Sequence, residues 1–439
     1  MPVAAGIGRR APGSGAALQP ARNEGIRAGM RTLSRRSATL ASFGVAAVVL
    51  SCGGGEGPPP ATPASPSPAS QETNKSAPAA TSGVEKSALD PSVSPCDDFY
   101  QYACGGWIKA TEIPGDEAAW YRSFSVIHDR NEEILRQILE SYAKGENQNE
   151  PYAKALGDYY GSCMDEAAIE KAGLQPLQPW LSAIDGIKDP ASLTKLLGRM
   201  QAELGTGIVF EQTAAQDFGD ATQVIAMLWQ AGLGMPEREY YLDGSPKMTE
   251  LRNKYEAHVA AMMRLAGEPD AKAKASAKKV LEIETAFAKA WMSKEDRREP
   301  KKIHHRVARA ELAKVVPGLQ WEAWLDGAKA KDVSAFNVAQ PDYMKAVGAM
   351  VNGKVSIADW KTYLRWHLLR VSGNDLGRAF VDEKFKWKQA LTGAEKLPAR
   401  WKRCVRSVDA AMGEALAQPF VKKTLGAEGK QTVVGMVQA

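Results

Sequence analysis

The feature that most constrains this chain is an abrupt change of composition near residue 90. Residues 53–90 hold almost no large apolar side chain and are rich in Gly, Pro, Ala and Ser, as in Pro58-Pro59-Pro60 and Ser65-Pro66-Ser67-Pro68. Such a stretch cannot bury enough surface to offset the entropy of ordering it, and its prolines keep it extended. It is expected to be a disordered tether. All packing then falls to residues 91–439, where apolar side chains recur at helical spacing almost to the end. The expected fold is mainly α, a multi-helix lobe behind a disordered N-terminal tether.

Ahead of the tether the sequence reads as targeting. Residues 1–29 are without periodicity, and are either unstructured or a mis-assigned start preceding Met30. From Met30, Arg31, Arg35 and Arg36 form a basic region, and Ala38 to Leu50 an apolar one far shorter than the ~20 residues of a membrane-spanning helix. Residues 30–51 therefore read as a secretory signal. Its end, Val49-Leu50-Ser51-Cys52-Gly53, resembles a bacterial lipoprotein box with Cys52 as the lipidated first mature residue. The other reading is an ordinary signal peptide with an incidental cysteine. A lipid on Cys52 would hold the protein to the cell envelope, facing the periplasm or exterior, without a transmembrane helix.

In 91–439, Ile113-Pro114 marks a break. Phe124, Ile127, Ile134, Leu135, Ile138, Leu139 and Tyr142 then repeat with helical spacing. Further helices are expected at 152–172, from Asp189-Pro190 through Leu204, and at 248–265, 271–292, 309–316, 321–328, 342–351, 356–371 and 401–425. One segment breaks the rhythm. Gly207 to Gln212 and Gln223 to Leu228 are rich in β-branched and apolar residues and flank the turn-like Asp217-Phe218-Gly219-Asp220, which predicts a β-hairpin near 207–228. A lone hairpin is marginal in water and has to pack on something else.

Composition excludes several function classes. The formal charge is only +5 and no dense Lys/Arg block exists, so nucleic-acid binding is not expected. There is no Gly-x-Ser-x-Gly elbow, no P-loop and no dinucleotide fingerprint. The five histidines are His128, His258, His304, His305 and His367, and none is followed four residues later by another. The H-E-x-x-H frame of a helical zinc peptidase is therefore absent, and neighbouring His304 and His305 would point about 100° apart on a helix. No catalytic and no metal-ligating residue is assigned. Cys96 and Cys104 lack C-x-x-C redox spacing.

Several landmarks nevertheless occur in one order: Pro95-Cys96-Asp97-Asp98-Phe99-Tyr100 through Cys104-Gly105-Gly106-Trp107, Ser162-Cys163-Met164-Asp165, Gly232-Leu233-Gly234-Met235-Pro236 with Glu239-Tyr240-Tyr241-Leu242, Glu284-Thr285-Ala286 with Arg297-Arg298-Glu299-Pro300, Tyr363-Leu364-Arg365-Trp366, and Arg400-Trp401-Lys402-Arg403-Cys404. Together they resemble the N-terminal, largely helical region of the neprilysin/endothelin-converting-enzyme family of zinc metalloendopeptidases. The resemblance implies exported or membrane-tethered enzymes that cut peptides, in which a helical lobe caps a zinc-bearing catalytic lobe.

On that resemblance residues 91–439 correspond to the helical region, and the catalytic part is expected to be missing. Zinc is the cofactor expected of a full-length member, not of this chain. The partners implied are the missing catalytic lobe, peptide substrates reached through it, and the membrane through Cys52. The chain is expected to be inactive alone; the alternative is a stand-alone, non-catalytic lipoprotein module that binds peptides or a partner. The family implies that Cys163 pairs with Cys404, while the partners of Cys96 and Cys104 lie in the catalytic part, leaving both expected to be unpaired here. It also implies an Arg, just past the Ile-Pro break, that holds a substrate's C-terminal carboxylate. Trp120 stands at the matching position. Arg122, two residues on, is the substrate-binding candidate, its other reading being a solvated Arg at a helix start.

Overall fold

The computed structural model describes residues 85–122 and 124–438. The expected signal, most of the tether and Cys52 lie outside them. The described residues fall into two units, 85–109 and 110–438.

In the first unit a short turn, Lys86–Ala88, precedes helix α1 (Phe99–Ala110). Asp90 is its buried anchor. Its carboxylate accepts from Lys109 at 2.7 Å and from Ser92 Oγ at 2.5 Å, and Lys109 holds its pKa well below the usual carboxylate range. Cys96 is exposed just ahead of α1, and Cys104 is half-buried on it.

The second unit is mainly helical, and its described residues form two large apolar cores and a small third cluster of Met227, Ile303 and Ala339. The smaller core is built by α2 (Phe124–Ala143), α3 (Ala153–Met164) and α16 (Arg400–Thr424), whose inward residues include Ile138, Leu139, Tyr142, Leu156, Tyr160, Val405, Val408 and Leu416. A disulfide joins Cys163 to Cys404 across 241 residues of sequence at the edge of this core. In the chain-entropy account, closing so long a loop contributes roughly 5 kcal/mol against global unfolding. The last helix, α17 (Gly426–Gln438), leaves α16 with Val433, Val434, Met436 and Val437 exposed.

The larger core lies between the two halves of the smaller one in sequence. It opens with α4 (Glu166–Ala172), α5 (Gln178–Asp185) and α6 (Pro190–Leu204). It continues through α7 (Glu239–Leu242), α8 (Pro246–Leu265), α9 (Asp270–Ala290) and α11 (Leu312–Val315), while α10 (Pro300–Ile303) gives Ile303 to the small third cluster. It closes with α12 (Trp321–Gly327), α13 (Pro341–Ala349), α14 (Ile357–Ser372) and α15 (Arg378–Thr392). Asp189 caps α6 in a capping box with Ser192, which is why Asp189-Pro190 reads as a helix start.

Three differences from the sequence reading have local causes. The helix expected over 152–172 is two, because the Asp165 carboxylate accepts from Ala168 N at 2.9 Å and starts a new helix there. The hairpin is real but longer and not alone. Strands β1 (Phe210–Asp217) and β2 (Asp220–Gln230) pair antiparallel, and β2 adds β4 (Ala335–Val338) in parallel. Strand β3 (Arg306–Ala308) completes the order β1-β2-β4-β3. Strands of three and four residues are too short to carry a period-2 signal. Helices α1, α5, α7, α10, α15 and α17 lie outside the helices expected from the sequence; α15 buries Phe380 and Val381, packs half-buried Trp387 on the larger core and intersperses charged residues among them.

Helices α6 and α12 meet backbone to backbone. A Cβ on Gly327 would stand 2.1 Å from the Lys195 carbonyl oxygen, and one on Gly198 2.3 Å from that of Trp324. Gly327→Val is expected to lower stability by about 3 kcal/mol, read as a fall in denaturant midpoint without a change in slope.

Candidate functional site

The most concentrated chemistry in the described residues surrounds one carboxylate. Val280, Ile283, Glu284 and Phe287 share the inward face of α9, so Glu284 enters the core with apolar neighbours and is fully buried. Burying a carboxyl group is costly unless every oxygen is hydrogen-bonded. Tyr241 on α7 donates to Oε2 at 2.7 Å. Tyr255 on α8 lies 3.0 and 2.9 Å from the two oxygens, and Trp366 Nε1 on α14 donates to Oε1 at 3.2 Å. His367 Nε2 lies 3.2 Å from Oε1. Arg370 Nε, which can only donate, faces His367 Nδ1 at 3.3 Å, so the imidazole proton sits on Nε2, toward Glu284.

Burial pushes the Tyr241, Tyr255 and Tyr363 phenols well above their ordinary pKa, so they remain neutral donors. Burial also pushes His367 down, to about 4.

The same cluster shapes the connection after β2. Tyr241 Oη accepts from Gly234 N at 3.0 Å and Met235 N at 2.8 Å while donating to Glu284. Tyr363 Oη lies 2.9 Å from the Ile208 and 2.7 Å from the Gly232 carbonyl oxygen. Arg297 Nη2 donates to both oxygens of Glu237, at 2.8 and 2.6 Å. The landmarks around Gly232, Tyr241, Glu284, Arg297, Tyr363 and Trp366 therefore meet at one place. The cluster is enclosed and holds these chain segments together.

A second, surface feature involves the candidate Arg122. It lies half-buried in the turn before α2, next to exposed Tyr121 and to Phe124, which is 75% exposed. Basic residues of α16 fix this part of the chain. Lys402 reaches Asp129 at 2.9 Å and Asp116 at 3.6 Å. Arg406 bonds Glu117 at 3.0 Å and also the buried Glu132, which His128 Nε2 meets at 3.1 Å.

The described residues do not fit a catalytic zinc. Among the described residues no group of three His, Cys, Asp or Glu side chains is placed to hold a metal ion. The histidines are dispersed: His128 faces Glu132, His258 faces Glu383 at 3.0 Å, and His367 lies in the core. His304 is 3.3 Å from Asp217, but Arg306 already occupies that carboxylate's other oxygen. Reasoning from the sequence missed Glu284 and His367 as a pair. The available signal was an acidic residue on the apolar face of a helix.

Two outcomes follow from the buried cluster. Glu284→Ala leaves the Tyr241, Tyr255 and Trp366 donors unpaired and is expected to cost several kcal/mol, about 1–3 for each stranded group, measured by denaturant unfolding. Between about pH 6.5 and pH 4 the unfolded chain binds a proton on His367 that the folded chain does not. Stability from this group is thus complete above pH 6.5 and is lost as the pH falls, with a slope approaching about 1.4 kcal/mol per pH unit. His367→Gln is expected to flatten that slope.

Comparison with known proteins places this geometry. The family model described as Peptidase family M13 matches residues 95–439. Rat endothelin-converting enzyme 1 is 29% identical over 354 residues, 78% of this chain and 46% of the relative. Human membrane metallo-endopeptidase-like 1 is 28% identical over 372 residues, 79% of this chain and 47% of the relative. The crystal structure of Mycobacterium tuberculosis zinc metalloprotease ZMP1 with an inhibitor superposes with a TM-score of 0.75 at 30% identity, covering 81% of this chain and 54% of that one. The chain thus spans about half the length of the relatives it matches. With most of its length matched by the family model and its fold shared with a solved zinc metalloprotease, the chain belongs to peptidase family M13.

Proposed function

We propose that this chain is the helical, peptide-admitting part of an exported zinc metalloendopeptidase, and that the zinc chemistry belongs to the half of the relatives outside the matched region. The match over residues 95–439 carries this reading, supported by the zinc metalloprotease that shares the fold. The chain's own contribution is then recognition. Arg122 is proposed to hold the C-terminal carboxylate of a peptide. Its support is position: it stands in the turn before α2, in a segment fixed by Lys402 and Arg406 and bordered by exposed Tyr121, Phe124 and Ile127. A planar guanidinium suits a carboxylate, and neighbouring apolar surface suits the adjoining side chain. Cys52 is proposed as a lipid anchor, on its place at the end of the signal-like segment.

Purified chain supplied with zinc is expected to leave short peptides uncut. Chelator-sensitive cleavage by it would refute placing the zinc chemistry elsewhere. Calorimetric titration with a short peptide is expected to show Arg122→Ala weakening binding by about 1.5–3 kcal/mol, with little effect on the C-terminally amidated peptide. Equal losses for both peptides would remove the carboxylate role. Labelling cells with an alkyne fatty acid is expected to mark the protein and to fail for Cys52→Ser.

A further inference from the structure

We infer that the Cys163–Cys404 disulfide is a redox latch, whose opening melts the α2–α3–α16 bundle while the larger core stays folded.

Three observations carry this. The bundle has its own apolar core, separate from the larger one. Such a small three-helix core is of the size at which cross-links decide whether folding is independent. The chain passes between the two cores twice, at Asp165 between α3 and α4 and across residues 393–399 between α15 and α16. The disulfide lies beside both crossings, two residues before the first and five after the second. Arg400 reinforces the same point, bonding the Cys163 carbonyl oxygen at 2.9 and 2.5 Å and Glu166 at 3.4 Å. With the larger core folded, both crossings are already anchored, so the disulfide closes a short loop and its restraint acts on the bundle alone.

The two sulfurs are unequal in access. Cys404 is buried, whereas Cys163 is partly exposed at the end of α3. A dithiol reductant attacks Cys163 Sγ through its thiolate, breaking the S–S bond and releasing Cys404, which takes up a proton. The reductant's second thiolate then attacks the mixed disulfide, releasing Cys163 as a thiol and leaving the reductant as a cyclic disulfide. Two electrons and two protons pass to the protein. Lys402 and Arg406 leave with α16, freeing Asp116, Glu117, Asp129 and Glu132, so the segment bearing Arg122 loses its fixed position. That last consequence rests on the reading proposed for Arg122; the latch does not.

Hydrogen exchange by mass spectrometry on the 439-residue chain, with and without dithiothreitol, tests the latch. Amides of α2, α3 and the first half of α16 are expected to exchange on the order of a hundredfold faster after reduction, while α9 and α14 keep their protection. Cys163→Ser/Cys404→Ser is expected to reproduce the reduced pattern and no longer respond to the dithiol. Equal loss in α9 and α14, in the reduced protein or the double variant, shows one cooperative unit and overturns the inference. Unchanged exchange in the bundle overturns it as well, as does a dithiol response that persists in the double variant. Peptide titration under the same reduction separates the two readings: unaltered carboxylate preference beside a melted bundle refutes the role of Arg122 and leaves the latch standing.

Discussion

A carboxyl group removed from water is the constraint on which the larger core depends. Glu284 has no exposure, so its oxygens need protein donors, and the donors come from α7, α8 and α14. Neighbouring groups tie in further segments. The donor Tyr241 fixes the connection after β2, and Tyr363, one turn before His367 on α14 but not bonded to Glu284, bridges the chain before β1 and the chain after β2. The hydrogen bonds are directional where apolar packing is not, so the cluster selects one arrangement of these helices from many of similar burial.

The smaller core rests on a different device. Three helices supply few buried side chains, and the segments that form it come from opposite ends of the described chain. Bringing α2 and α3 back to α16 means closing a loop over the whole larger core, an entropic cost that local packing must overcome. The disulfide removes that cost from the folding balance, and ion pairs from Lys402 to Asp129 and from Arg406 to Glu132 set the register of α16 against α2. Two cores held by different means, one by a buried polar hub and one by a covalent tie, explain why a single chain of this length can combine a rigid scaffold with a separable attachment.

This division suits a protein whose relatives are peptidases. The scaffold carries no group able to hold a metal among the described residues, while the bundle presents a basic and an aromatic side chain in the turn before α2. Exposed Phe124, Val126 and Ile127 beside that turn would be a liability on an isolated surface, and are suited to a second surface or a bound peptide.

Much of the architecture was legible in the sequence, because helical periodicity reports which residues face inward and needs no knowledge of what they face. It located α2, α6, α8, α9, α14 and α16 and the hairpin at β1–β2. The absence of an H-E-x-x-H frame was equally a property of the sequence, since i and i+4 spacing on a helix is local. What periodicity missed includes the short strands β3 and β4, of three and four residues, and α15, in which charged residues interrupt the apolar ones. The convergence of Glu284, Tyr241, Tyr255, Trp366 and His367 was decided only by tertiary structure, because these residues lie on four helices and no local rule relates their positions. The same holds for the two cores: both read alike along the chain, and only packing in three dimensions separates residues 124–164 and 400–424 from everything between them.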